Sequence, residues 1–130
     1  MHCLILSHGN VAISLVNAVK QILGECENLY AIDCADLSPQ ALFEKICRLI
    51  EMEKLRNGLF ILVGLKGGSC WNVASRVVKE KPKIEVISGV NLPMVLAFVS
   101  KKDQYPLEEF GEVLVRDGMR GIARLTRSTL

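Results

Sequence analysis

The chain alternates short apolar runs with segments in which apolar residues recur at helical spacing. The apolar runs cover positions 3–6, 29–32, 59–63 and 84–87, and each precedes a turn and a helix-like segment. Parallel strands require such helical crossovers, because a tight hairpin reverses the direction of the chain. We therefore predict an α/β fold with a doubly wound, mainly parallel sheet of four to five strands and helices on both faces.

Capping and turn residues predict where several helices begin and end. Gly24 follows the first helix-like segment, Ser38-Pro39 opens the second, Ser69 opens the third and Pro106 opens the last. Serine is favoured at a helix start because its side chain accepts a free backbone N–H, and proline because it has no N–H to leave unpaired. Helical spacing predicts inward-facing residues in the third and the last helix: Val73, Ala74, Val77 and Val78, then Leu107, Phe110, Leu114, Met119 and Ile122.

Length, composition and charge limit the classes of protein to which the chain can belong. Half of the 130 residues are hydrophobic, so residues 1–130 are expected to form one domain with a substantial core. A net charge of +2 with scattered basic residues argues against a nucleic-acid partner. No apolar run approaches the roughly 20 residues of a membrane span, and no basic stretch precedes the first apolar run as in a signal peptide. We expect a cytoplasmic protein.

The chain has five cysteines and no Cys-x-x-Cys pair. An odd number at this spacing favours neither a disulfide framework nor a zinc site, so we expect no bound metal. Buried cysteine behaves as a small hydrophobic residue, which is the role that we predict for most of these side chains in a reducing compartment. The five residues are Cys3, Cys26, Cys34, Cys47 and Cys70.

Two turns that follow apolar runs are the candidates for chemistry. His8 follows the first run, and the glycine-rich turn 64–69 follows the third. If the strand order is 2-1-3-4, both turns line the crevice at the carboxyl edge of the sheet, where α/β proteins bind ligands. Backbone N–H groups of Gly67, Gly68 and Ser69 at a helix start would then form an anion site. A histidine beside an anion site is a candidate phosphoryl acceptor.

Each turn also has a purely structural interpretation. A histidine at a strand end is often only a satisfied structural residue, and a glycine pair before a helix is often only a tight turn. The nucleotide-binding patterns Gly-x-x-x-x-Gly-Lys-Ser/Thr and Gly-x-Gly-x-x-Gly are both missing from the sequence. We therefore predict no ATP or NAD site and no other organic cofactor.

Three motifs in the same order resemble those of the IIA component of the mannose-family sugar phosphotransferase system (PTS). They are His8-Gly9-Asn10, Gly67-Gly68-Ser69 followed by Asn72 and Ala74, and Gly89-Val90-Asn91-Leu92-Pro93-Met94. The resemblance extends over nearly the whole chain and implies a flavodoxin-like fold that is usually dimeric. It also implies that His8 takes a phosphoryl group from the phosphocarrier protein and passes it to a IIB component, which is linked in turn to a membrane permease.

The chain departs from the family at one position of the second turn. Gly64 stands where the family carries an aspartate, in a run resembling Asp-x-x-Gly-Gly-Ser-Pro. A carboxylate there would hold one imidazole nitrogen, so that the other attacks, and would stabilise the charged ring. Lys66 is either an added cation for the phosphate or a solvated loop residue.

Two alternatives to a phosphoryl carrier follow from these departures. The first is a regulatory or interaction module that has the same fold but transfers phosphate poorly, because Gly64 replaces the carboxylate. The second is a thiol-dependent enzyme in which Cys70 pairs with His8, although no third orienting residue is visible in the sequence.

Overall fold

The computed structural model describes residues 1–55 and 57–129. Across these residues, no helix combines the length and the apolar character needed to cross a membrane. The elements in chain order are β1 (His2–Ser7), α1 (Val11–Leu23), β2 (Leu29–Asp33), α2 (Pro39–Met52), β3 (Leu59–Val63), α3 (Ser69–Glu80), β4 (Ile84–Ser88), α4 (Leu92–Lys101), α5 (Leu107–Arg120) and a short 3-10 turn (Arg127–Thr129).

The strands form one parallel sheet in the order β2-β1-β3-β4. This order confirms the predicted one, and the sheet has four strands within the described residues. Ser7 pairs with Asp33 of β2, and Leu6 pairs with Val63 of β3. The turns that follow β1, β2 and β3 therefore lie side by side at the carboxyl edge of the sheet.

Both faces of the sheet are covered by helices, so β1 and β3 are buried along nearly their whole length. Leu4 and Ile61 belong to a core layer under α2 and α3, while Ile5 and Phe60 belong to a second layer under α1, α4 and α5. Successive side chains of a strand point to opposite faces, which explains why these central strands are continuously apolar. The arrangement is the predicted two-sided α/β fold.

The predicted helix starts and stops are confirmed. Helix α2 begins at Pro39, and the Ser38 hydroxyl accepts the backbone N–H of Ala41 at 3.1 Å. Helix α3 begins at Ser69, and α1 ends before Gly24, whose φ of 85° lies in the region that favours glycine. The local chemistry of the caps thus defines the ends of these elements.

Three residues that were expected to face inward are exposed, so these predictions are wrong. Val78 is 36% exposed, Met119 is 67% exposed and Ile122 is 76% exposed. Consecutive residues of an α-helix are rotated by about 100° about the helix axis. Because Val77 and Gly118 face the core, the residues that follow them, Val78 and Met119, point away from it. Ile122 lies beyond the last residue of α5 and has no helical face to share.

Candidate functional site

The backbone around His8 is held by two polar side chains at the ends of neighbouring strands. The hydroxyl of Ser7 accepts the N–H of Ala12 at 2.7 Å and thereby satisfies a free donor in the first turn of α1. Asp33 accepts the N–H of Gly9 at 3.0 Å and that of Ala35 at 2.8 Å through the same oxygen. These bonds fix the turn on which His8 stands, while the imidazole itself is exposed.

The imidazole of His8 meets the first residue of α3. Its Nε2 lies 3.0 Å from the hydroxyl oxygen of Ser69, although 61 positions separate the two residues. A serine hydroxyl can donate to an unprotonated ring nitrogen or accept from a protonated one. The contact therefore orients the ring in either tautomer and places it at the N-terminus of a helix, where negative charge is favoured.

His8 and the glycine-rich turn share a cleft of about 270 Å³. Gly68 and Ser69 line this cleft with His8, whereas Lys66 and Gly67 lie in the exposed turn that precedes them. We expected three free N–H groups here, but Gly68 N–H donates to the carbonyl of Leu65 at 3.3 Å. Within the part of the chain that the structure describes, the N–H groups of Gly67 and Ser69 have no acceptor. The candidate anion site therefore has two free backbone donors rather than the three that the sequence predicts.

Cys70 also lines the cleft, but its thiol is hydrogen-bonded to another cysteine rather than to His8. The Cys70 thiol donates to Cys34 Sγ at 3.0 Å. Over residues 1–55 and 57–129, no group of three or more His, Cys, Asp or Glu side chains is placed to hold a metal ion. The polar chemistry of the cleft therefore centres on the imidazole and the start of α3.

A family model described as the PTS system fructose IIA component, EIIA-man, matches residues 2–114. The chain belongs to this family. Its membership agrees with the resemblance seen in the three sequence motifs, and the match includes both turns of the candidate site.

Two curated relatives each share about a third of their aligned residues with this chain. The mannose-specific EIIAB component of the PTS of Escherichia coli is 34% identical over 121 residues, covering 92% of this chain and 38% of the relative. The sorbose-specific EIIA component of Lacticaseibacillus casei is 32% identical over 97 residues, covering 74% of this chain and 70% of the relative. The chain thus spans well under half the length of the E. coli protein.

Solved structures of PTS IIA proteins have the same fold. EIIA of Streptococcus agalactiae superposes with a TM-score of 0.88 at 23% identity, covering 99% of this chain and 98% of that one. The mannose/sorbose-specific IIA subunit of Enterococcus faecalis gives a TM-score of 0.83 at 21% identity, covering 96% of this chain and 94% of that one. The flavodoxin-like fold implied by the resemblance is therefore confirmed.

Gly64, where the resemblance to EIIA-man implies an aspartate, directly follows Val63, the last residue of β3, which pairs with Leu6 of β1. A Cβ atom built on Gly64 would meet no heavy atom within 4 Å, and the backbone of Gly64 is outside the left-handed region. Neither sterics nor backbone strain thus requires glycine at this position. An aspartate at position 64 would therefore fit the backbone without a clash.

Sequence reasoning missed two residues that the fold brings to this site, Asp33 and Cys34. Asp33 ends β2 and holds the turn that carries His8, while Cys34 follows it and meets Cys70. The sequence signal for Asp33 was its position as a carboxylate at the end of the predicted second strand. The strand order 2-1-3-4 places that strand beside the first strand, which leads into His8. No local pattern pairs Cys34 with Cys70, because α2 and β3 lie between them in the chain.

Proposed function

We propose that this chain is a phosphoryl carrier of a phosphoenolpyruvate-dependent PTS, with His8 as the acceptor. The phosphocarrier protein would supply the phosphoryl group, and a IIB component would receive it. The observation that carries the proposal is the 3.0 Å contact between His8 Nε2 and the Ser69 hydroxyl at the N-terminus of α3. It places an exposed nucleophilic ring beside an anion-favouring helix end in a member of the EIIA-man family.

The proposed transfer uses positioning and charge stabilisation rather than a metal or an organic cofactor. A ring nitrogen of His8 attacks the phosphorus atom in line, and the bond from phosphorus to the histidine of the phosphocarrier breaks. The electron pair of that bond returns to the leaving imidazole. The N–H groups of Gly67 and Ser69 and the exposed ammonium of Lys66 stabilise the charge on the phosphoryl oxygens. Gly68 shapes the turn that carries these donors.

Labelling from the phosphorylated phosphocarrier tests this proposal. We expect one acid-labile phosphate per chain, which peptide mapping places on His8. The other histidine, His2, is an internal control at the opposite end of β1, where burial lowers its pKa. His8→Ala is expected to abolish the label. No label on His8 under conditions that label an EIIA-man relative would contradict the proposal, and so would a label on His2 alone.

We place the carrier in the cytoplasm as a single domain over residues 1–130, with an indirect link to a membrane permease through the IIB component. The family model covers residues 2–114 of this span. A cytoplasmic position follows from the partners in the proposed relay, since phosphoenolpyruvate is a cytoplasmic phosphoryl donor.

A regulatory or interaction module with the same fold is a second candidate function. Gly64 favours it, because the imidazole contact in the structure comes from a neutral hydroxyl rather than from a carboxylate. A hydroxyl orients the ring but supplies less stabilisation to a positively charged imidazole. The module hypothesis therefore predicts slow phosphorylation of the wild-type chain.

We further propose that the chain forms a homodimer through β4 and α5. Strand β4 is an edge of the sheet, and a groove of about 640 Å³ runs between its residues 85–87 and the outer side of α5. Met119, Ile122 and Leu125 expose apolar side chains on α5 and just beyond it. Unpaired edges and exposed apolar side chains favour association, and a second copy of the chain would cover both features.

Sedimentation equilibrium tests the dimer. We expect a mass of twice the 14.4 kDa of one chain. We also expect Met119→Lys to weaken association, because it replaces an exposed apolar side chain of the groove with a charged one. Met52→Lys is the matched control, since Met52 is 76% exposed at the end of α2. A wild-type mass of one chain at all protein concentrations would contradict the dimer.

A further inference from the structure

Two buried thiols meet directly beneath the candidate site. Cys34 follows β2, Cys70 is the second residue of α3, and their sulfur atoms lie 3.0 Å apart. Cys34 is 3% exposed and Cys70 is 7% exposed. Because β2 and β3 flank β1, the contact between the two thiols spans the end of the strand that carries His8.

The geometry allows the two sulfur atoms to bond with a small movement. A disulfide has a sulfur–sulfur distance of about 2.05 Å, so the thiols need to approach by about 1 Å. The backbone N–H of Cys34 donates to the carbonyl of Ser7 at 2.7 Å, which anchors this residue to β1. Cys70 lies in the first turn of α3 and lines the cleft that contains His8. An oxidant that enters this cleft reaches Cys70 first.

We propose that Cys34 and Cys70 form a reversible, oxidant-sensing disulfide next to His8. A peroxide is the class of oxidant that fits a small open cleft. The sulfur of Cys70, having lost its proton, attacks one peroxide oxygen, the O–O bond breaks, and the released hydroxide takes up a proton to become water. The sulfur of Cys34 then attacks the sulfenic acid of Cys70 and displaces hydroxide, which leaves as water with the thiol proton. Two thiols are oxidised, and one hydrogen peroxide is reduced to two waters.

The environment of the two cysteines assigns them different roles in this reaction. Burial raises the pKa of Cys34 to about 12, and the contact with Cys70 adds to that rise. Cys34 therefore stays protonated at neutral pH and acts as the resolving thiol rather than as the first nucleophile. In reducing compartments, disulfides are usually transient and serve catalysis or sensing, which matches a pair that forms only after oxidation.

The disulfide would connect the redox state of the protein to the His8 site through one peptide bond. Ser69, the partner of His8 Nε2, directly precedes Cys70. Drawing Cys70 towards Cys34 moves the first turn of α3, so the Ser69 hydroxyl moves relative to the imidazole. This expectation rests on the proposed carrier function: oxidation should slow phosphate incorporation at His8 by roughly 10- to 100-fold. A displacement of about 1 Å between reacting groups lowers a reaction rate by about that factor.

Treatment of the full chain with hydrogen peroxide tests the pair. After the remaining thiols are alkylated, we expect a non-reducing digest to contain a peptide that links Cys34 to Cys70. Dithiothreitol is expected to remove this linked peptide. Cys34→Ala and Cys70→Ala should each abolish the linked peptide. Cys47→Ala is the control and should leave it unchanged, because Cys47 is a half-buried cysteine on α2. Absence of the link while other thiols oxidise would overturn the proposal.

The ring resonances of His8 supply a readout that does not depend on phosphorylation. Oxidation should shift them in the wild-type chain and leave them in place in Cys70→Ala, which has no thiol in the cleft for the peroxide to oxidise. A link that forms without moving the His8 resonances would overturn the sensing role. If His8 takes no phosphate in either redox state, the carrier function fails, while the linked peptide and these resonances still show whether the disulfide forms and whether it moves the His8 ring.

Discussion

Phe60→Ala should lower the free energy of unfolding by about 3–5 kcal/mol, a large share of the total for a domain of this size. Phe60 is fully buried in β3 on the face covered by α4 and α5. Its ring packs edge-on against Phe98 at 6.3 Å and Phe110 at 5.6 Å between ring centroids. Alanine would leave a cavity bordered by both rings, so the loss includes aromatic contacts as well as the buried area.

Trp71 is the only tryptophan in the sequence and serves as a fluorescence probe for guanidinium unfolding. We expect the midpoint to fall with the denaturant slope unchanged, at a protein concentration that is the same for all variants. Met52→Ala is the control for an exposed side chain and should change the free energy of unfolding by less than about 0.5 kcal/mol. A loss below about 1 kcal/mol for Phe60→Ala would show that the core repacks around the cavity.

The parts of the fold that were predictable from the sequence are those that local chemistry determines. Ser38 and Pro39 mark the start of α2 because the first turn of any helix has free N–H groups to satisfy. The apolar runs identify β1 and β3 because helices cover both faces of these strands, so the side chains on both faces are buried and apolar. Alternation of such runs with helices then leaves few possible sheet orders.

The contact between His8 and Ser69 was predictable only through the strand order. Their separation of 61 residues carries no local signal, but strands that are neighbours in the sheet bring their following turns together. Asp33 could have been found by the same step. The Cys34–Cys70 contact could not, because it depends on how deeply each side chain sits between α2, α3 and the sheet.

The inward faces of α3 and α5 were predicted too broadly for a related reason. Helical spacing identifies an apolar stripe but not its edge, and the edge depends on what packs against the helix. Val78 and Met119 lie just outside the stripe, next to Val77 and Gly118 inside it. Exposed apolar residues are common on folded proteins, so hydrophobicity alone does not place a side chain in the core.

Under the module hypothesis, Gly64→Asp is expected to raise the rate of phosphate incorporation at His8 by roughly 100-fold. Gly64 lines the same cleft as His8, and an added Cβ has open space around it, so the variant introduces a carboxylate with little strain. The carboxylate can accept a hydrogen bond from the imidazole and stabilise the positive charge that develops during transfer. Initial rates of labelling from the phosphorylated phosphocarrier, at equal chain concentrations, give the measurement.

Gly64→Asn separates the charge of the new side chain from its size. Asparagine fills nearly the same volume as aspartate and also offers a hydrogen-bond acceptor, but it brings no negative charge. If charge stabilisation is what the wild-type site lacks, the rate increase for the asparagine variant should be no more than about a tenth of that for aspartate. The reason is that a charged acceptor forms a hydrogen bond roughly twice as strong as a neutral one. Equal gains from both variants would assign the effect to orientation of the ring. A rapid wild type that neither variant improves would contradict the module hypothesis, because the Ser69 hydroxyl would then be a sufficient partner for His8.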